Sequence, residues 1–262
     1  MSGPPTVELI DVWKEFATGG RRVEALQGIS VAVERNEFAA ILGPSGCGKS
    51  TLLNMVAGFD ARTRGRVLFD GGPVRAPDPR RAVVFQEPAL FPWYTVLDNI
   101  TFGLRTRRQP PSAWRAKVDA FVEQVGLRGF ESHYPAELSG GMKQRVGIAR
   151  VLVMEPDVLL MDEPFGSLDA QTRSLMQELL LAVWERHHQT VLFVTHDIEE
   201  AIFLASRVVV MTARPGRIKA ELAIDLPYPR HYTIKTTAAF SRLKAELTEQ
   251  IRAEALRAVA AG

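Results

Sequence analysis

The sequence predicts an α/β fold built around a parallel sheet. Three observations carry this. Continuous apolar runs at Phe38 to Leu42, Ala82 to Phe85, Val158 to Met161 and Val191 to Val194 suit strands buried on both faces. Helical patterns lie between the runs. In Gln171 to Arg186, for example, Met176, Leu180, Val183 and Trp184 recur at i, i+4, i+7 and i+8 and make one apolar face. The first run also opens directly into a glycine-rich loop.

Taken in order, Thr6 to Trp13 and Val31 to Val33 read as short strands joined through the turn-rich Thr18-Gly19-Gly20. From about Asp98 to Val153 no strand is convincing, and the stretch reads as a helical insert broken by Pro110-Pro111 and Pro135. After Arg214 the character changes. Pro227, Pro229 and Arg230 suggest a linker, and Phe240 to Ala260 a terminal helix whose removal should leave the chemistry intact. No internal repeat or low-complexity tract interrupts this pattern.

Composition bounds the function. The 262 residues allow one large domain, or a core with a subdomain, at roughly 150 residues per domain. Apolar residues at 46% and charged residues at 24% exclude a disordered or collagen-like chain. A net charge of +2 gives no global attraction to nucleic acid, so no nucleic-acid partner is expected. Cys47 is the only cysteine, which excludes an intramolecular disulfide and fits a reducing compartment. Met1 to Asp11 lacks a basic region followed by an apolar one, and no window approaches the roughly 18 apolar residues of a membrane span. A soluble cytoplasmic protein is the expectation.

Gly43-Pro44-Ser45-Gly46-Cys47-Gly48-Lys49-Ser50 matches G-x-x-x-x-G-K-[ST], with an apolar strand before it and a helix-compatible Thr51 to Ala57 after it. Its glycines let the backbone turn successive N–H groups toward phosphate oxygens, and the helix N-terminus adds partial positive charge. Lys49 would reach the β- and γ-phosphates, and Ser50 would offer Mg²⁺ a hydroxyl. The motif implies an NTPase of no particular family.

Val158 to Met161 ends in Asp162-Glu163. The carboxyl ends of parallel strands are where sheet ligands sit, so these acids should face the phosphate loop. Asp162 would hold Mg²⁺, directly or through water, and Glu163 would polarise the attacking water. Strand alternation would point the two side chains to opposite sides. Ser139-Gly140-Gly141, just before the helical run Met142 to Leu152, makes a second anion-binding helix N-terminus. It would be a simple serine cap, or half of a site completed by another copy.

These segments together resemble the ATPase subunit of an ATP-binding-cassette (ABC) transporter, in order over about residues 7 to 230. Gln86 matches the family's Q-loop, Ser167-Leu168-Asp169 its D-loop and His196 its switch histidine. Phe16 falls where the family stacks an aromatic on adenine. Met142 stands where many members carry Gln. A narrower resemblance, to importers of nitrate, sulfonates and taurine, rests on Val84 to Trp93 with Asp98-Asn99-Ile100, on Met161 to Arg173, on Ala213 to Ile218, and on Leu226 to Arg230.

The resemblance implies a P-loop NTPase core with a mostly parallel sheet, an N-terminal antiparallel β subdomain and a helical signature-motif subdomain. It implies a cassette over residues 1–230, with the helical part at about 98–153, and a tail over 231–262. Two copies would meet head to tail, each ATP lying between the loop Gly43 to Thr51 of one and Ser139-Gly140-Gly141 and Asp169 of the other. Glu163, His196, Lys49 and Gln86 would carry catalysis, and Ser50, Gln86 and Asp162 would hold Mg²⁺. Membrane permease subunits, and through them an extracytoplasmic solute-binding protein, would be the partners, on the inner face of the membrane. A soluble ABC-type ATPase in a nucleic-acid or assembly role is the alternative.

Some residues stay open to two readings. Phe16 is either the adenine platform or a core aromatic. Phe91, Trp93 and Tyr94 are either core or an apolar groove for a membrane partner. Cys47 either fills space or, among helix-facing N–H groups, has a lowered pKa, in which case ATP would protect it from alkylation. Arg105, Arg107, Arg108, Arg115 and Lys117 read as a solvated face or as a contact for anionic headgroups. His133, His187, His188 and His231 show no metal-ligand spacing.

Overall fold

A computed structural model describes residues 5–18 and 21–260. Its first elements are two long antiparallel strands, β1 (Val7–Thr18) and β2 (Arg21–Val33). Both run well beyond the short strands predicted from sequence. Register shifts between Leu9 and Glu15 break the alternation, and charged residues from Lys14 to Glu24 fill the far end of the pair, so no apolar pattern marks it. Gly19-Gly20 of the predicted turn lies outside the described residues. Strand β3 (Phe38–Leu42) follows, then helix α1 (Lys49–Ala57). Strands β4 (Arg64–Phe69) and β5 (Gly72–Pro73) complete a four-stranded antiparallel sheet in the order β2-β1-β4-β5.

The remaining elements are β6 (Arg81–Val84), α2 (Val96–Thr106), α3 (Pro111–Gln124), α4 (Gly140–Leu152), β7 (Val158–Asp162), α5 (Ala170–His187), β8 (Thr190–Thr195), α6 (Ile198–Leu204), β9 (Arg207–Met211), β10 (Ile218–Ala223) and α7 (Ala238–Ala260). The second sheet has the order β10-β9-β3-β8-β7-β6 and is parallel except for the edge strand β10. This is an α/β fold with a mostly parallel sheet, an antiparallel β unit and a helical unit. The apolar pattern does not disclose β4, β5, β9 and β10.

The apolar runs work as two-sided strands. Phe38, Ala40 and Leu42 face a core shared with α2 through α7, whereas Ala39 and Ile41 face one shared with α1 and the antiparallel sheet. Helix α1 is thereby held between two sheets, which fixes the loop that precedes it. Residues 227–230 are not a loose linker. Arg230 is buried, and its guanidinium donates to the carbonyls of Ile202, Phe203 and Ala205, which end α6. The Tyr228 hydroxyl donates to Leu204 at 2.8 Å, and burial pushes its pKa up to about 12.

Candidate nucleotide site

Adjacent strands β3, β8 and β7 end level with one another: Leu42 pairs with Thr195, and Asp162 with Val194. Three loops therefore meet at one edge. After β3 comes the phosphate loop, after β8 His196, and after β7 Glu163.

Gly48 is the N-cap of α1 at φ 99°, and no side chain caps the helix. A Cβ there would stand 2.6 Å from a Leu26 methyl and 3.0 Å from the Ala25 carbonyl oxygen, so only glycine fits. The first N–H groups of α1 are left for an anion. Lys49, 4% exposed, donates from Nζ to the carbonyls of Gly43 (2.9 Å) and Pro44 (3.1 Å). That same Nζ lies 3.7 Å from Glu163 Oε1.

Ser50 Oγ donates to Asp162 Oδ1 at 2.9 Å. Burial is the largest effect on Asp162 and raises its pKa, opposed by the Ser50 hydrogen bond and added to by the Glu163 charge. Glu163 Oε2 is 2.9 Å from His196 Nδ1. Strand alternation does not hold across the two acids: Glu163 sits at φ 44°, and this left-handed turn brings both carboxylates onto the phosphate loop. The turn after β8 is also fixed. Thr195 Oγ1 donates to Glu200 at 2.7 Å and accepts from Asp197 N at 3.0 Å, and Asp197 caps α6.

Phe16, Ser45, Gly46, Gly48, Lys49, Ser50, Thr51 and Glu163 line one cavity of about 540 Å³. This is an ordinary size for a small-molecule site. Phe16 is 39% exposed at its wall and is no core aromatic. Gln86 is exposed beside Gly166, where a Cβ would come 3.2 Å from Gln86 Nε2 and 3.9 Å from Glu163 Oε2. Cys47 departs from the lowered-pKa expectation. Its thiol is buried, and burial raises its pKa despite the Lys49 charge.

Ser139, Gly140, Gly141 and Asp169 do not line that cavity. They form a second cluster where α4 and α5 begin. Ser139 Oγ accepts from Met142 N at 3.3 Å, and Asp169 accepts from Gln171 N and Thr172 N. A Cβ on Gly141 would come 2.6 Å from the Thr172 methyl, so the two helix starts touch. Hydrogen bonds from the Thr172 and Gln171 amides hold the exposed Asp169 carboxyl below its ordinary range.

Sequence reading missed three lining residues: Val23, Ala25 and Arg214. Val23 faces Phe16 across β1 and β2, a pairing hidden by the unread half of the hairpin. Arg214 lies within Ala213 to Ile218, but nothing local ties it to Gly46, 168 positions earlier. Phe91, Trp93, Tyr94 and Phe102 form a separate aromatic cluster, with Trp93 68% exposed. In the basic stretch, Arg105 pairs with Asp98 and Lys117 with Glu155.

A phosphate loop between a buried strand and a helix, faced by two acids and a histidine from neighbouring strand ends, defines a P-loop nucleotide hydrolase. Residues 26–166 match the family described as ABC transporter. The chain belongs to that family, as an ATP-binding, ATP-hydrolysing transporter subunit. It is 48% identical over 246 residues to an ABC transporter ATP-binding protein of Methanocaldococcus jannaschii, covering 94% of this chain and 91% of that one. It is 46% identical over 245 residues to the aliphatic sulfonates import ATP-binding protein SsuB of Bacillus cereus, covering 94% and 95%. Among solved structures it resembles the dimeric post-hydrolysis state of the ATP-binding cassette MJ0796 bound to ADP and Pi. There the TM-score is 0.73 at 31% identity, over 84% of this chain and all of that one. It also resembles cbiO1 of Clostridium perfringens, part of the transporter complex cbiONQ, at TM-score 0.75 and 31% identity, over 84% and 89%. Among the described residues no helix is long and apolar enough to cross a membrane.

Proposed function

We propose that this chain powers an importer for a small anion of the organosulfonate, taurine or nitrate type. The observation that carries this is its similarity, along 94% of its length, to proteins named for aliphatic sulfonate import. Residues 1–230 act as the cassette, with a helical subdomain at about 98–153, and residues 231–262 as its tail. The protein works at the inner face of the membrane.

The separation of the two clusters supports a head-to-tail pair. The cavity has a phosphate loop but no second anion cradle, and the cluster at Ser139-Gly140-Gly141 and Asp169 has a cradle but no loop. Two copies supply both. The γ-phosphate is the charge that both helix starts attract, so its release reopens the pair. Phe16 stacks on the base, and the backbone of Gly43 to Thr51 with Lys49 binds the phosphates.

Glu163 takes the proton of the attacking water, and His196, 2.9 Å away, holds that carboxylate in register. The paired Ser50 hydroxyl and Asp162 carboxylate are hard oxygen donors that fit Mg²⁺, with Gln86 within reach of the same edge. When bound, Mg²⁺ neutralises phosphate charge. The aromatic cluster of Phe91, Trp93, Tyr94 and Phe102, in which Trp93 and Phe102 are exposed, begins a few residues beyond Gln86 and suits the contact with a membrane permease.

The test is purification of the chain from its native membrane in mild detergent, followed by reconstitution of what accompanies it. A multi-span permease whose ATPase rises with a sulfonate-, taurine- or nitrate-loaded receptor supports the proposal. Recovery with soluble proteins or nucleic acid alone sinks it in favour of a non-transport ATPase.

A further inference from the structure

The loop joining β9 to β10 packs against the back of the phosphate loop. Gly216 N donates to the Ala25 carbonyl at 2.9 Å, and Gln27 N donates to the Gly216 carbonyl at 2.9 Å. A Cβ on Gly216 would stand 2.1 Å from the Cys47 carbonyl oxygen, so the loop lies directly on the phosphate-loop backbone. Thr212 and Arg217 close the loop on itself, and Arg217 Nε donates to Gln27 Oε1 at 2.7 Å.

The terminal helix holds the same loop from another side. Glu254, 1% exposed, accepts from Ala213 N at 3.3 Å and lies 2.9 Å from Lys219 Nζ. The residue after Ala213 is Arg214. It lines the cavity beside Phe16, Ser45 and Lys49. Its guanidinium reaches within 3.9 Å of where a Cβ on Gly46 would be, and it has no hydrogen-bond or ion-pair partner among the described residues.

A free arginine on an open surface needs no explanation. Arg214 is exposed but differs because the loop that carries it is held at Ala213 and at Gly216 and its side chain lines a cavity built for phosphates. We propose that Arg214 binds the phosphate chain of the nucleotide, and that α7 positions it through the Glu254 contact with Ala213. The tail is then linked to ATP affinity without touching the ligand. The inference rests on the nucleotide-site reading above and adds a residue and a coupling to it.

The experiment is equilibrium binding of ATP and of adenosine to the full chain, with melting temperature measured in parallel. Arg214→Ala is expected to weaken ATP by about 10-fold, as for one lost charge-assisted hydrogen bond, while adenosine binding and melting stay unchanged. Arg214→Lys should recover part of the loss. The paired change Glu254→Leu with Lys219→Met removes the tie together with both members of the Lys219–Glu254 ion pair. It should weaken ATP by a smaller factor, and that effect should vanish in the Arg214→Ala background. A merely structural role for Glu254 would move melting alone, which overturns the coupling. ATP binding by Arg214→Ala equal to that of the unmodified chain would overturn the assignment of Arg214 and leave the site reading intact. Failure of the unmodified chain to bind ATP would overturn both.

Discussion

Lys49 and Arg230 are cations buried to nearly the same degree, at 4% and 5% exposure, yet their surroundings are opposite. Lys49 faces a cavity, and its fixed partners are two carbonyls of its own loop and a carboxylate 3.7 Å away. Arg230 is sealed. Its guanidinium donates to five carbonyls, those of Ile202, Phe203, Ala205, Ile224 and Leu226, and lies 4.0 Å from the centre of the Tyr228 ring. Burial alone does not separate binding from structure. What separates them is whether the remaining space around the charge is closed by protein or left for a ligand.

The sharpest test of the open side is Glu163→Gln. Hydrolysis should fall by about 10²–10⁴-fold while ATP still binds, because the amide cannot take the proton from water. Phosphate release near the unmodified rate would remove Glu163 as the base. On the closed side, Arg230→Met should cost about 3 kcal/mol in denaturant unfolding, since it strands buried carbonyls. ATP affinity should not change, and a parallel loss of affinity would erase the contrast.

Lys49→Met is the matching substitution in the cavity. The ATP-free chain should lose less stability than with Arg230→Met, because two carbonyls rather than five lose their donor. It should lose the added stability that ATP gives, about 2.7 kcal/mol at a hundredfold excess over Kd. A large loss without ATP would make Lys49 a structural cation like Arg230.

The smallest effect concerns Asp162. Burial raises its pKa above 3.8, so the folded chain favours its protonated form. The stabilisation from that proton is fully present below 3.8 and is lost as pH rises through the raised value. At neutral pH the ionised carboxylate therefore weakens the ligand-free fold. Asp162→Asn should raise the melting temperature slightly at pH 7, by less as pH falls toward 4. A gain independent of pH would assign the effect to packing.

The two regions also differ in how far the sequence discloses them. The phosphate loop, the acids at the end of β7 and the histidine after β8 each follow an apolar run, so position along the chain is enough to find them. Arg230 stands among prolines and reads as a linker, because three of its five acceptors, Ile202, Phe203 and Ala205, lie at the end of α6, at least 25 positions earlier. Arg214 stood next to an unread strand. The long β1–β2 hairpin was cut short because its far half is charged and bulged.

The sequence by itself determined the strands buried on both faces, the helical insert, the phosphate loop and the residue types able to bind nucleotide. These follow from local spacing, which governs backbone conformation and which side chains leave water. Only the tertiary structure decided that Glu163 turns onto Lys49 rather than away from it. It also decided that Arg214 enters the cavity under the hold of α7, that Arg230 closes the end of α6, and that Ser139-Gly140-Gly141 stands apart from the phosphate loop of its own chain. Each of these depends on strand order and on contacts between residues far apart in sequence, and such contacts leave no periodic trace.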